Sequence, residues 1–186
     1  VRSRGLGDVY KRQVIGYNGS PAHNHIKVIK SLVFMKKQLP TNTILVCPMT
    51  YGGNPVYRKK IKRLLWNSQF ENQILENYLT AEELVCLRNA TDLFIHAQNT
   101  DANSGTIAEY LLCRKKIVNP TWITYPHYET YGSPFYSFSN FEELPQAIMK
   151  AINDTSNKVS PLLTGNISES GWSKLACKWV ELYKKY

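Results

Sequence analysis

The stretch QNTDANSGTIAE joins polar side chains to the start of a predicted helix. The first amides of that helix, around Ser104, Gly105 and Thr106, have no partners within the helix, and with the helix dipole they can bind a phosphate. One turn further on, Glu109 can accept hydrogen bonds from two hydroxyls of a sugar joined to that phosphate, and Asp101 can reach a second sugar. Considered alone, Ser104 could equally be an ordinary helix cap, and Glu109 would be explained as a solvated helix residue. Their combination predicts a sugar-phosphate site.

The elements around this stretch alternate between strands and single helices. The run TILVCPM is too uniformly apolar for a sheet wetted on one face, and Thr80 with Glu83 forms a predicted capping box. Strands separated by single helices indicate βαβ units, so we predict an α/β fold, a Rossmann-like parallel sheet with helices on both faces. Strands are expected at 14–17, 43–49, 73–76, 92–97, 116–119 and 135–138, and helices at 26–40, 55–66, after 80, 106–113, 141–152 and 170–183.

Polar residues follow most of these strands. Ligands of such sheets bind beyond the carboxyl ends of the strands, so we expect the loops that carry these polar residues to form one site at one edge of the sheet. His25, at a helix start, is either a phosphate contact or a cap. The residues expected to form a pocket for a base or a sugar are Thr50, Tyr51, Asn77, Tyr78, Gln98 and Asn103.

The segment DANSGTIAE resembles the acid-x7-acid signature of nucleotide-sugar glycosyltransferases with the GT-B architecture. The resemblance implies that Glu109 holds the ribose of the nucleotide and that Asp101 lies near the donor sugar. It also implies that the helix start at Ser104, Gly105 and Thr106 holds the diphosphate. The family usually has Glu at the first acid, where this chain has Asp101, one methylene shorter.

A second resemblance covers about Val14 to Ala147. The segments IGYNGSPAHNHIKVIKSL, PMTYGGNPVYRKKIKRL and NPTW are similar to segments of the bacterial 4-acetamido-4,6-dideoxygalactose transferase family, which uses a lipid-linked acceptor. This resemblance implies donor phosphate contacts from Asn18, Gly19 and Ser20. That family has no acid where Glu109 stands, so the donor need not be the same.

The first residues have a separate origin in our interpretation. SRGLGDVYKRQ, from Ser3 to Gln13, reads back in one frame as a transposase adaptor used to prepare sequencing libraries. We therefore expect 1–13 to be non-native and 14–186 to be the C-terminal, nucleotide-sugar-binding domain of a truncated GT-B enzyme. A general base would then lie on the missing N-terminal half, and the fragment alone would be inactive. The alternative for the leader is a basic tail or a first strand at 8–10.

Composition limits the partners and the compartment. Part of the net charge of +9 belongs to the leader, and without it the charge is +6. The remaining basic residues are concentrated in Lys27, Lys30, Lys36 and Lys37 and in RKKIKR, which we expect on the outer faces of two helices. Solvated helix faces explain this charge, and attraction to an anionic phosphate or a membrane surface is the alternative; no motif indicates nucleic acid. Four separate cysteines suit reduced, buried thiols in the cytoplasm. Attraction to a membrane, the alternative for the basic residues, would place the protein at the inner face of the plasma membrane. No DxD pair or histidine pair indicates a metal, and no cofactor is expected.

Our leading hypothesis is a metal-independent glycosyltransferase that moves a sugar from a UDP or dTDP donor onto a surface polysaccharide or a lipid-linked acceptor. The alternatives are a nucleotide-sugar 2-epimerase and a non-catalytic nucleotide-binding or scaffold module. A nicotinamide dehydrogenase is disfavoured, because GYNGSP lacks the third glycine and places a proline in the helix start.

Overall fold

The protein forms one six-stranded, fully parallel sheet with the strand order β3-β2-β1-β4-β5-β6. The computed structural model describes residues 11–101 and 104–171 together with Ala176, Val180, Glu181 and Lys184. The strands are β1 (Lys11–Ile15), β2 (Thr43–Pro48), β3 (Glu71–Leu75), β4 (Leu93–Ile95), β5 (Lys116–Pro120) and β6 (Phe135–Phe138).

Seven helices in the described residues connect and cover these strands. They are α1 (His25–Phe34), α2 (Pro55–Asn67), α3 (Ala81–Ala90), α4 (Gly105–Leu112), α5 (Pro126–Glu129), α6 (Leu144–Asn153) and α7 (Pro161–Glu169). The apolar faces of α1, α2 and α6 build one core cluster against the sheet, and α4, α5 and α7 contribute to a second cluster on the other face. Both faces of the sheet are therefore covered, which confirms the predicted fold class.

Local sequence explains where several helices begin. The Thr80 side chain accepts a hydrogen bond from the amide of Glu83, and the Glu83 carboxylate accepts one from the amide of Thr80, so the predicted capping box is present. Asn54 caps α2 in front of Pro55, whose missing N–H costs nothing at the first helical position. These caps satisfy amides that have no acceptor within their own helix.

The first strand begins three residues earlier and ends two residues earlier than predicted. It begins at Lys11 and ends at Ile15, because Gly16 turns the chain with a φ of +64°. Lys11 pairs with Thr43 of β2, and Gln13 is buried, so residues that we assigned to an adaptor take part in the sheet. Residues 1–10 lie outside the described part of the chain, and their assignment to an adaptor stays a prediction.

The second difference lies in the last third of the chain. The stretch between the helices predicted at 141–152 and 170–183, where no element was expected, contains α7, because Ser160 caps the amide of Leu163 and Pro161 occupies the first helical position, where a proline starts a helix. The short α5 was also not predicted. The predicted final helix over 170–183, with Trp172, Trp179 and Tyr183, falls largely outside the described residues.

The cysteines are less uniformly buried than expected. Cys47 is fully buried, and burial raises its pKa to about 12. Cys86, in α3, is exposed, and Cys113, just after α4, is partly exposed. Cys177 lies outside the described residues. The expectation of buried thiols is therefore wrong for Cys86.

Strand order places the expected binding edge. The chain runs from β1 outward to β2 and β3 and then returns to the other side of β1 through β4, so the order reverses between β1 and β4. Crevices form at the carboxyl ends of the strands beside such a reversal, because the flanking connections run on opposite faces. The loops there are 16–20 after β1 and 96–101 after β4.

Candidate functional site

The start of α4 leaves backbone amides without acceptors in their own helix. Ser104 occupies the N-cap position with an extended backbone, but its hydroxyl caps no amide of α4, so the interpretation as a side-chain cap does not hold. A Cβ built on Gly105 would meet no described atom within 4 Å. The amides of Gly105 and Thr106 have no acceptor within the helix. Such unpaired amides at a helix start can bind an anion.

Glu109 lies one turn further along α4 and is held by Arg88 of α3. The Arg88 Nε atom donates to Glu109 Oε2 at 3.0 Å, and the guanidinium also lies 4.6 Å from the ring centre of Tyr110. The Arg88 side chain is only 7% exposed, whereas the Glu109 side chain is 49% exposed. A buried cation thus orients a carboxylate that still faces solvent and can accept further hydrogen bonds.

A cleft of about 180 Å³ opens beside Glu109. Whole small-molecule sites usually measure about 300–1,000 Å³, so this cleft suits one part of a larger ligand. The rings of Tyr51 and Tyr78 stack at its side, 6.1 Å apart and inclined by 8°. Both rings are exposed, so a flat ring can stack on them. The polar and aromatic residues that line the cleft are Tyr17, Thr50, Tyr51, Tyr78, Arg88, Thr106 and Glu109.

The structure brings together five of the residues predicted from the sequence, since Thr50, Tyr51, Tyr78, Thr106 and Glu109 line one cleft. Two of the remaining pocket candidates, Asn77 and Gln98, do not line this cleft. Asn77 is exposed and does not line the cleft. Gln98 accepts hydrogen bonds from Tyr17 and Trp122 behind the cleft, and Asn103 lies outside the described residues.

The loop after β1 uses its donor groups within the protein. The amide of Gly19 donates to the Tyr51 carbonyl at 2.7 Å, and the amide of Ser20 donates to Asn18 Oδ1 at 2.8 Å. The Ser20 hydroxyl accepts a hydrogen bond from the amide of Ala22. These residues lie at the predicted edge of the sheet, but the hydrogen bonds described here are made within the protein and stabilise the loop. The expected phosphate contacts of Asn18, Gly19 and Ser20 stay a prediction.

Two buried histidines lie beneath this loop. His25 is fully buried, its Nδ1 atom lies 3.3 Å from the Tyr57 hydroxyl, and burial lowers its pKa to about 4. His23 is also buried, and its pKa falls to about 3 through burial and the neighbouring ring of His25. Within the described residues neither ring nitrogen of His23 has a hydrogen-bond partner. Both rings are therefore neutral at pH 7.

Asp101 is drawn into a buried polar network. Its Oδ2 atom accepts a hydrogen bond of 2.6 Å from the Tyr125 hydroxyl and lies 3.4 Å from His96 Nε2. The other ring nitrogen, His96 Nδ1, lies 2.8 Å from Asn119 Oδ1. Burial and the bond to Asp101 hold the pKa of Tyr125 well above its usual value. Asp101, in the loop after β4 where the strand order reverses, is therefore held in place, and its side chain is 9% exposed.

Sequence reasoning missed three of these residues. Arg88 is separated from Glu109 by 21 positions and Tyr125 from Asp101 by 24, so no local spacing connects them. His23 gave no signal, because it lies in a short turn whose burial depends on the loop above it. The sequence could have been searched for cations and hydroxyls that pair with the two predicted acids. Many residues meet that condition, so the search would not have singled out Arg88 and Tyr125.

Comparison with known proteins gives structural matches. No protein-family model and no curated protein matches the chain. A glycosyltransferase from Rickettsia africae ESF-5 is 18% identical, with a TM-score of 0.74, over 95% of this chain and 48% of that chain. The catalytic domain of cholesterol-alpha-glucosyltransferase from Helicobacter pylori is 16% identical, with a TM-score of 0.59, over 87% of this chain and 96% of that chain.

A third match is the trehalose-6-phosphate structure from E. coli bound with UDP-2-fluoro glucose, 13% identical with a TM-score of 0.66 over 95% of this chain and 44% of that chain. The chain spans about half the length of the Rickettsia and E. coli proteins. Identities this low show the fold and no more. Together with the sheet order, they establish that the chain has the Rossmann-like fold of one half of a GT-B glycosyltransferase.

Proposed function

We propose that this chain is the donor-binding half of a GT-B glycosyltransferase and binds a nucleoside-diphosphate sugar. One observation carries the proposal: a carboxylate oriented by a buried arginine lies in a cleft with two stacked, exposed tyrosines, one turn from an open helix start. A diphosphate joined to a nucleoside needs a site for an anion, hydrogen-bond acceptors for hydroxyls and a surface for a base. These needs match the three features.

The roles follow from the position of each group. The base stacks on Tyr51 and Tyr78, with Thr50 beside it. The ribose hydroxyls donate to Glu109, whose Oε2 atom is held by Arg88. The diphosphate binds at the amides of Gly105 and Thr106, with the Ser104 hydroxyl near it. This arrangement places the donor sugar towards Asp101.

Transfer of the sugar would leave a nucleoside diphosphate with additional negative charge. Helix-terminal amides already directed at that charge stabilise it without reorganisation, so this reaction needs no metal at the diphosphate. The acceptor and the general base belong to the other half of a GT-B enzyme. The acceptor classes that we propose are a surface polysaccharide or a lipid-linked sugar, with UDP or dTDP as the nucleotide. The resemblance to the 4-acetamido-4,6-dideoxygalactose transferase family supports the lipid-linked acceptor.

The structural matches support the ligand class. The E. coli protein, which covers this chain almost completely, was captured with UDP-2-fluoro glucose, a nucleotide-sugar analogue. The Rickettsia and Helicobacter matches are glycosyltransferases by name. A shared fold supports a shared ligand class only where the site also fits, and the cleft beside Glu109 supplies that second argument.

Calorimetric titration of the chain with UDP, dTDP and GDP and their glucose derivatives tests the proposal. We expect at least one of them to bind, and Glu109→Gln to weaken that binding about tenfold or more, because hydrogen bonds to a charged acceptor contribute about 1.5–3 kcal/mol. Glu142→Gln, a change of the same kind at an exposed residue beside α6, should leave the affinity unchanged. Binding that is insensitive to Glu109→Gln, or the absence of binding to all of them, would contradict the proposed site.

A further inference from the structure

The layer formed by α1 and α2 is built from a stretch without acids. Eleven lysines and arginines and no Asp or Glu lie between Asp8 and Glu71. Both helices belong to this stretch, and the nearest carboxylate in sequence, Glu71, follows α2 on β3. Surface helices usually mix both signs of charge, so a layer with one sign only carries a strong local positive potential.

The two helices lie side by side and point the same way. Both connect parallel neighbouring strands and pack into the same core cluster. Their carboxyl ends meet, since Lys36, just after α1, donates to the carbonyls of Ser68 and Gln69, just after α2, at 3.1 and 2.7 Å. The outward sides of α1 and α2 therefore form one continuous surface.

Five cations on this surface have no partner among the residues that the structure describes. The described residues offer no ion pair or hydrogen bond to the side chains of Lys30, Lys37, Lys59, Lys60 and Arg63, and all five are exposed. By contrast, Lys62 pairs with Glu76 at 2.7 Å, and Arg58 donates to the Gly52 carbonyl. The surface thus keeps an excess of uncompensated charge directed outward.

Large apolar side chains stand among these cations. Trp66 is 85% exposed near the end of α2, and Phe34 is 84% exposed at the end of α1. Trp66 lies three residues after Arg63, and Phe34 lies four residues after Lys30, so each ring shares a helix face with a cation. An aromatic ring that packs neither in the core nor against a neighbour exposes apolar surface to water, which is unfavourable. Transfer of that surface into a less polar environment would be favourable.

We propose that this surface, the basic face formed by Lys30, Phe34, Lys59, Lys60, Arg63 and Trp66, binds peripherally to a bilayer that contains anionic lipids. Cations attract the headgroups, and tryptophan and phenylalanine enter the interface, as in helices that lie in the membrane plane. No helix in the described ranges is long and apolar enough to cross a bilayer, so the contact is with the surface. The basic face lies on a helix layer, away from the cleft beside Glu109, and the inference does not depend on nucleotide binding.

The experiment is co-sedimentation of the chain with vesicles of phosphatidylcholine containing phosphatidylglycerol, compared with vesicles of phosphatidylcholine alone. We expect binding to the anionic vesicles that weakens as salt is added, because screening shortens the reach of surface charges. Arg63→Glu should weaken this binding roughly tenfold or more, since each cation near an anionic surface changes affinity about fivefold. Lys150→Glu, a charge change of the same sign at an exposed residue of α6, should have a smaller effect.

The apolar contribution has its own pair of variants. Trp66→Ala should weaken vesicle binding several-fold, whereas Leu162→Ala, at a comparably exposed site on the opposite layer, should not. Circular dichroism of each variant confirms that it is folded. Equal binding to both kinds of vesicle, no binding, or no effect of Arg63→Glu would overturn the proposal. Tighter binding to a DNA or RNA oligonucleotide than to anionic vesicles would also overturn it. Nucleotide titration of the same variants keeps this test separate from that of the donor site.

Discussion

At the scale of single residues, burial decides which charges the site can use. Arg88 is buried against Tyr110, whereas its partner Glu109 is half-exposed. The Glu109 carboxylate therefore remains available to solvent as a hydrogen-bond acceptor. Asp101 is in the opposite situation, because Tyr125 and His96 contact the same oxygen and its side chain is almost buried. Two acids that look equivalent in sequence therefore have different environments.

The buried histidines predict acid sensitivity. In the unfolded chain a histidine has a pKa of about 6.5, whereas His23 and His25 titrate at about 3 and about 4 in the folded protein. Between these values the unfolded state binds protons that the folded state does not. Their contribution to stability is therefore complete above pH 6.5 and is lost as the pH falls, by about 1.4 kcal/mol per pH unit for each histidine.

Urea unfolding at several pH values between 7.5 and about 4.5 measures this loss over the interval that the two pKa values define. His23→Leu should remove one histidine's share of the slope and leave stability at pH 7 similar or higher, because both ring nitrogens of His23 lack partners. His127→Leu, at an exposed histidine, should keep the full slope. An unchanged slope in His23→Leu would show that His23 accepts a proton without penalty.

At the scale of elements, two loops meet backbone to backbone at the binding edge. The loop after β1 and the loop after β2 touch where Gly19 donates to Tyr51, and Gly53 faces Gly19 with a φ of +69°. A Cβ on Gly53 would stand 2.1 Å from the Gly19 carbonyl oxygen. This contact fixes the position of Tyr51, one of the two rings at the cleft.

Gly53→Ala should therefore destabilise the protein by roughly 2–4 kcal/mol, because a left-handed residue with a side chain is strained and the neighbouring backbone must also move. Gly165→Ala in α7 is the matched control. A Cβ there would meet no described atom within 4 Å, and alanine favours helices, so stability should rise by about 0.5–1 kcal/mol. Chemical denaturation of both variants compares the two, and a Gly53→Ala protein as stable as the original would mean that the loops do not fix each other.

Sequence patterns predicted the elements better than their boundaries and contacts. The capping box at Thr80 and the uniformly apolar β2 were recognised because their signals are local. The end of β1 was misplaced, because the φ of Gly16 depends on the turn that follows. The pairing of Arg88 with Glu109 could not be predicted, since it depends on how α3 and α4 approach each other in space. Five of the expected site residues nevertheless share one cleft, because parallel strands bring their carboxyl ends to one edge.

At the scale of the whole molecule, the described chain corresponds to about half of the Rickettsia and E. coli proteins that it resembles. The cleft beside Glu109 is open to solvent and, at about 180 Å³, smaller than whole small-molecule sites usually are. Under the proposed function, the chain should bind a donor and release no nucleotide from it at a rate above the uncatalysed reaction.

A coupled assay for nucleoside diphosphate release, run with the donor that binds in calorimetry, measures this. Glu109→Gln serves as the background. Release by the chain that exceeds the release by Glu109→Gln would show that this half alone carries catalytic groups, and Asp101, His96 and Tyr125 would then be the first residues to substitute.

The paired rings of Tyr51 and Tyr78 have one more consequence for a bound donor. Under the proposed function, a base would stack on these nearly parallel rings through its flat face, and stacking does not distinguish the atoms at the edge of the base. Uracil, thymine and guanine all present such a plane, so the two tyrosines would accept each of them. Discrimination among the nucleobases must then come from the few groups that reach the rim of the ring, and replacing those groups is the route to a chain that accepts a different activated sugar.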